Sequence, residues 1–269
     1  MAVFQTLFTY DFMRLAFLAI LIITPLFGIL GTMVVSDKMA YFSDALGHSA
    51  LCGMAVGVLF GVANTTVSLM IFGVLFALLL NLIRSKSPAS TDTIISVLSS
   101  SCIAVGLIIL SRNGNFSKYS SLLIGDVLSI TRGEVIGLFL IFLATLVFWI
   151  LCFNQLQAVS LHPVLAKSRG FRVAVIENLF TAVIALVVML SIKWIGILII
   201  NALLILPPAA SRNISENVRE YHLFAVIFSV FSGLLGLVIS YFANVATGPT
   251  IIVIAAVIFF ATYIFGRNR

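Results

Sequence analysis

EVIGLFLIFLATLVFWILCFN, residues 134–154, carries one charge, at its first residue. A run of this length matches the roughly 20 apolar residues a helix needs to cross about 30 Å of hydrocarbon. It does not alternate polar with apolar in short segments, as the strands of a membrane barrel do. Lipid offers backbone amides and carbonyls no partner, so a span must bond them internally, and a continuous apolar run does that as an α-helix.

Read outward in both directions, the chain repeats the pattern. Spans are expected at 14–35, 44–63, 65–84, 92–111, 134–154, 172–192, 194–211, 221–243 and 247–266. The fold class is an all-α integral membrane bundle of nine transmembrane helices, or eight if one of the two least regular runs does not cross. Those two are 44–63 and 194–211. Both start beside polar groups, and the second ends in Pro207-Pro208, expected to kink or break its helix. Gly248-Pro249 marks the start of the last span. Gly28, Gly31, Gly53, Gly57 and Gly196 would let helices approach closely. The segment 119–131, YSSLLIGDVLSIT, is too short to span and too apolar for an open loop, which fits a re-entrant segment shielded by protein.

Composition agrees. Apolar residues make up 62% of the 269 and charged residues 9%, with a mean hydropathy of +1.23. A soluble domain carries about 25% charge. Nine spans consume nearly the whole chain, so 1–269 is read as a single transmembrane domain. The first apolar run is long and lacks a small-residue cleavage site, so it reads as a span and not as a removable leader. The net charge of +6 sits in loops and carries topology, not a nucleic-acid surface. Arg84 and Lys86, then Lys167, Arg169 and Arg172, then Arg212 and Arg219, and finally Arg267 and Arg269 all fall on one side of a nine-span count. That side is cytoplasmic by the positive-inside rule, and the C-terminus lies there. Arg112, Lys118 and Arg132 fall outside and weaken the bias. Cys52, Cys102 and Cys152 are widely spaced within apolar runs, against a disulfide framework.

Chemistry concentrates in SDALGHSALCG, residues 43–53. Asp44 and His48 are spaced i, i+4, which puts both on one helical face. Carboxylate plus imidazole is a donor pair suited to zinc or manganese. Ionisable groups at membrane depth are costly and mark pathways. Asp44 could instead cap its helix, and His48 could be hydrogen-bonded in a core. Cys52 continues the stripe and could add a thiolate, although buried free cysteine usually behaves as a small hydrophobe. Asp92 is expected as a helix N-cap, with a pathway role as the alternative, and Asp126 is a pathway candidate in the re-entrant segment. The loop 155–171, QLQAVSLHPVLAKSRGF, fits a short helix opened by Pro163 and closed by Gly170. His162 precedes it. Ala166 and Gly170, one turn apart, offer a small-residue side that could seat in a partner's groove; an ordinary basic loop is the alternative.

No G-x-x-x-x-G-K-[ST] loop, Cys-x-x-Cys or H-E-x-x-H site occurs. The chain has no means of hydrolysing ATP and is not read as an enzyme.

The motifs MAYFSDALGHSALCGMAVG (39–57), TDTIISVLSSS (91–101), LLIGDVLSITRGE (122–134), LHPVLAKSRGFR (161–172), IGILIINALLILPPAASR (195–212) and TGPTIIVIAA (247–256) together resemble the ABC-3 family of permeases. These are membrane subunits of bacterial zinc and manganese importers, and the likeness runs nearly the full length. It implies a multi-pass permease of the bacterial cytoplasmic (inner) membrane, paired with a second permease copy as a homodimer. It also implies two cytoplasmic ABC ATPase subunits and an extracytoplasmic metal-binding protein. Asp44 and His48 match the family's metal ligands, and 161–172, with His162, Pro163, Ala166 and Gly170, matches its ATPase-coupling helix. No bound cofactor is implied; Zn2+, with Mn2+ next, is the transported substrate. The aromatic pair in MAYFSDALGHS leans toward zinc-type members. Ser100 stands where some of those carry histidine, which puts a second ligand set in doubt. The alternatives are a permease for a metal chelate, siderophore or cobalamin, and an ion-coupled secondary carrier using Asp44, Asp92 and Asp126. A non-transporting membrane subunit, in which Asp44 and His48 are structural, is the third.

Overall fold

The computed structural model describes residues 10–62, 64–112 and 127–266. They form α1 (Asp11–Ser36), α2 (Ala40–Leu59), α3 (Thr65–Lys86), α4 (Thr91–Arg112), α5 (Arg132–Leu161), α6 (Pro163–Ser168), α7 (Val173–Ile195), α8 (Ile197–Arg212), α9 (Val218–Ala243) and α10 (Thr247–Gly266). No strand occurs among the described residues. Eight of these helices are long and apolar enough to cross a membrane. The ninth apolar helix, α8, has 16 residues, about 24 Å at 1.5 Å per residue. The expected runs therefore all stand as helices, and the eight-or-nine ambiguity rests on the short one. Most of 119–131, including Asp126, lies outside the described residues; Val127–Ser129 is a single 3-10 turn. Glu134 closes the entry to α5 by accepting from the amide and hydroxyl of Thr131 at 2.9 and 2.8 Å.

The chain divides into two compact units. The first holds residues 1–38, 124–150 and 194–269, with α1, α8, α9, α10 and the opening turns of α5. Its core gathers Phe27, Leu30, Met33, Leu203 and Leu204. Ser229 donates to the Thr24 carbonyl at 2.6 Å and Tyr221 to the Thr32 carbonyl at 3.1 Å, tying α9 to α1. The expected break at Pro207-Pro208 does not occur, because α8 continues through both prolines to Arg212. Pro208 has no amide to bond the Leu204 carbonyl. Gly31 of α1 lies against that carbonyl and against the Pro208 ring, so the freed acceptor is buried by a close helix contact.

The second unit holds residues 39–123 and 151–193, with α2, α3, α4, α6, α7 and the last turns of α5. Helix α2 packs on both α3 and α4. Ser68 donates to the Gly53 carbonyl at 2.7 Å and also rests on Gly57. Gly106 of α4 meets the backbone of Cys52. Small residues at such contacts allow the van der Waals packing that holds helices together in lipid. Gly196 does not serve this purpose. It is the N-cap of α8 at φ +82°, a left-handed conformation that glycine adopts at little cost.

The outer faces of α5 and α10 carry Ile136, Leu140, Ile150 and Leu151, then Val253, Val257, Phe260 and Ile264, all more than half exposed. Uncovered apolar side chains at this density suit lipid as the surrounding solvent.

Candidate functional site

Helix α2 is the exception among the long helices. It is the least apolar of the eight, yet 72% of its apolar window is buried, against 17% for α10. Over its first three turns Tyr41 and Asp44 are exposed and Ala40 and His48 partly so, while the rest are buried. The Asp44 and His48 side chains are 53% and 39% exposed. A carboxylate open to acyl chains would cost about 2.5–3.5 kcal/mol or more. This face therefore calls for a polar neighbour or a second chain.

The capping reading of Asp44 is removed. Helix α2 begins at Ala40 with Met39 as its N-cap, which puts Asp44 in the second turn, beyond reach of the free amides. His48 Nε2 stands 3.5 Å from Asp44 Oδ1. That is longer than a good N–H···O hydrogen bond. It is close to the edge of a tetrahedron, where ligands at about 2.1 Å from zinc stand about 3.4 Å apart. The pair supplies two donors. No group of three or more His, Cys, Asp or Glu side chains able to hold a metal occurs among the described residues. The described residues of one chain thus bring two candidate donors together here.

The other candidates fall elsewhere. Cys52 is buried, 5% exposed, and its backbone meets Gly106 of α4. It points into the α2–α4 contact and is not brought together with Asp44 and His48. The expected N-cap at Asp92 is corrected. Ser90 is the cap, its hydroxyl 3.3 Å from the Thr93 amide, while Asp92 sits exposed in the first turn of α4. There its charge faces the positive end of the helix. Asp126 lies outside the described residues.

Of the expected loop 155–171, residues 155–161 instead continue α5, and the stretch after Leu161 forms the short helix. Pro163 opens α6 at N1 and exposed His162 is the N-cap residue. The Gly170 amide donates to the Lys167 carbonyl at 3.0 Å and the Phe171 amide to the Ala166 carbonyl at 3.1 Å. With Gly170 at φ +85°, this is a Schellman corner. Ala166 is turned inward, 2% exposed, while Val164 and Leu165 are 81% and 57% exposed. The outward surface of α6 is therefore Val164 and Leu165, flanked by Lys167, and not a small-residue face. Beside it opens a cleft of about 790 Å³ whose walls include Val164, Lys167, Phe171, Arg172 and Glu177.

One cluster was missed in the sequence. Asn81 of α3 donates to Asn178 Oδ1 at 2.9 Å and to Thr181 Oγ1 at 2.8 Å on α7. One turn along, Arg84 pairs with Glu177 at 3.4 Å. The available signal was a lone Asn within the apolar run FALLLNLI, where a polar side chain needs a partner on a neighbouring helix.

A sequence model of the ABC 3 transport family matches residues 9–266. The high-affinity zinc uptake system membrane protein ZnuB of Haemophilus influenzae is 30% identical over 89% of this chain and 92% of its own length. The manganese transport system membrane protein MntC of Listeria monocytogenes is 25% identical over 98% and 94%. Among solved structures, PsaBC from Streptococcus pneumoniae in complex with Fab matches with a TM-score of 0.85 at 25% identity, over 97% of this chain and 94% of that one.

Proposed function

Because this chain belongs to the ABC 3 transport family, a family of transporter permeases, we propose that it is the membrane subunit through which an ATP-driven importer passes a divalent transition metal, zinc in preference to manganese. The observation that carries this reading is the exposed Asp44–His48 pair on the most buried long helix, at a spacing that suits one metal ion. Two relatives that match over most of the chain are named for zinc and manganese transport. Carboxylate plus imidazole accepts either ion, and intrinsic affinity favours zinc.

Function follows from the incomplete shell. A second copy of the chain, docked on the same face of α2, brings a second carboxylate and a second imidazole to one ion and removes both pairs from lipid. The two copies then make the pore as a homodimer in the bacterial inner membrane. A site assembled from two weak halves holds its ion loosely enough to let it go, as conduction requires. Two ATPase subunits dock on the exposed Val164–Leu165 surface of α6 at the cytoplasmic side, where the C-terminus also lies. A metal-binding protein delivers the ion from the other side. Residues 1–269 act as one permease domain.

Zn2+ and Mn2+ uptake in a strain lacking the endogenous permease tests this. The chain should restore Zn2+ accumulation, and Asp44→Ala or His48→Ala should not, at equal membrane abundance. Normal uptake by either variant removes the site.

A further inference from the structure

The buried polar cluster between α3 and α7 has no part in binding the ion, yet it stands between the two surfaces that transport would use. All its members belong to the second compact unit. Asn81 is 8% exposed. Its amide nitrogen bonds both Asn178 and Thr181, and the Thr181 hydroxyl donates in turn to the Glu177 carbonyl at 2.9 Å. The Glu177 carboxylate holds Arg84 at 3.4 Å. The Asn81 carbonyl oxygen is buried and accepts no hydrogen bond. A partly satisfied polar cluster is a poor way to stabilise a helix pair, since apolar side chains of similar volume do as well or better. What it does supply is fixed register between two helices.

The neighbours give that register a direction. Glu177 also walls the cleft beside α6, about one turn into α7 beyond the Schellman corner that joins α6 to α7. At its other end α3 is bonded to α2 through Ser68 and Gly53. We propose that Asn81, Arg84, Glu177, Asn178 and Thr181 form a polar clamp that carries displacement of α6 through α7 into α3, and so to the Asp44–His48 helix. These are positioning residues. The inference rests on the reading of α6 as the ATPase-docking surface.

The test uses the permease assembled with its ATPase in proteoliposomes, Zn2+ as the probe and Mn2+ in parallel, reading metal moved per ATP hydrolysed. Asn81→Leu and Glu177→Gln should each lower that ratio about fivefold or more while the ATPase still co-purifies. The exchanged pair R84E/E177R should recover it to within about twofold. An unchanged ratio in both single variants overturns the clamp. So does a lowered melting temperature with the ratio intact, which marks a merely structural role. Val164→Glu separates the underlying reading. If it leaves docking and ratio intact, the role of α6 fails and the clamp fails with it. If it abolishes docking while the clamp variants behave as wild type, the clamp alone is overturned.

Discussion

The Ser68 hydroxyl donates to the Gly53 carbonyl across 2.7 Å while its Cβ lies against Gly57. One small side chain thus sets both the spacing and the register of α2 on α3. The two contributions separate by mutation. Ser68→Ala removes one interhelical hydrogen bond, worth about 0.6 kcal/mol in a membrane bundle. Gly57→Leu drives a side chain into Ser68 and should destabilise by about 1–3 kcal/mol. Thermal unfolding in detergent should place Gly57→Leu well below Ser68→Ala.

Asp44 and His48 are both partly exposed, so truncating either leaves the fold of α2 intact. Asp44→Ala and His48→Ala should keep wild-type melting temperatures. Metal uptake should fall beyond the roughly 10- to 100-fold typical of outer-shell substitutions. Radiolabelled Zn2+ uptake alongside unfolding curves checks both halves of the statement.

Cys52 faces α4, not the Asp44–His48 surface. Cys52→Ala should hold Zn2+ uptake within about twofold and lower stability by about 1 kcal/mol, the loss of one buried apolar group. Strong loss of uptake at full stability would make the thiol a ligand after all.

Val164 and Ala166 sit two residues apart on α6 with opposite surroundings, 81% and 2% exposed. Val164→Glu should leave the permease folded and abolish ATPase co-purification. Ala166→Leu should lower the melting temperature of the isolated permease, an overpacking cost of about 1–3 kcal/mol. Reversal of the two phenotypes would mean that the docking surface lies on the inner side of α6.

The helices were legible because lipid demands long apolar runs, and α10 begins and ends at Thr247 and Gly266 as read. The Asp44–His48 pair was legible through its spacing, and the loop helix through Pro163 and Gly170. Other features depended on tertiary context. Pro207 and Pro208 sit inside a continuous helix because Gly31 covers the acceptor that Pro208 frees. Ser90 displaced Asp92 as a cap by one hydrogen bond. Cys52 shares the i, i+4, i+8 stripe of Asp44 and His48, but the approach of Gly106 from α4 turns that end of the stripe inward. Sequence spacing fixes a face of a helix; only the neighbour decides which part of that face is open.

The corner at Gly170 bears on how a push would travel. Both of its backbone hydrogen bonds close within six residues, from Ala166 to Phe171, and no loose linker separates α6 from Val173. A hinge at this point would soak up motion as slack. This elbow is held by both bonds, so in the proposed coupling a push at Val164 would reach α7 as rotation of the whole rod, with a stroke set by geometry instead of chain flexibility.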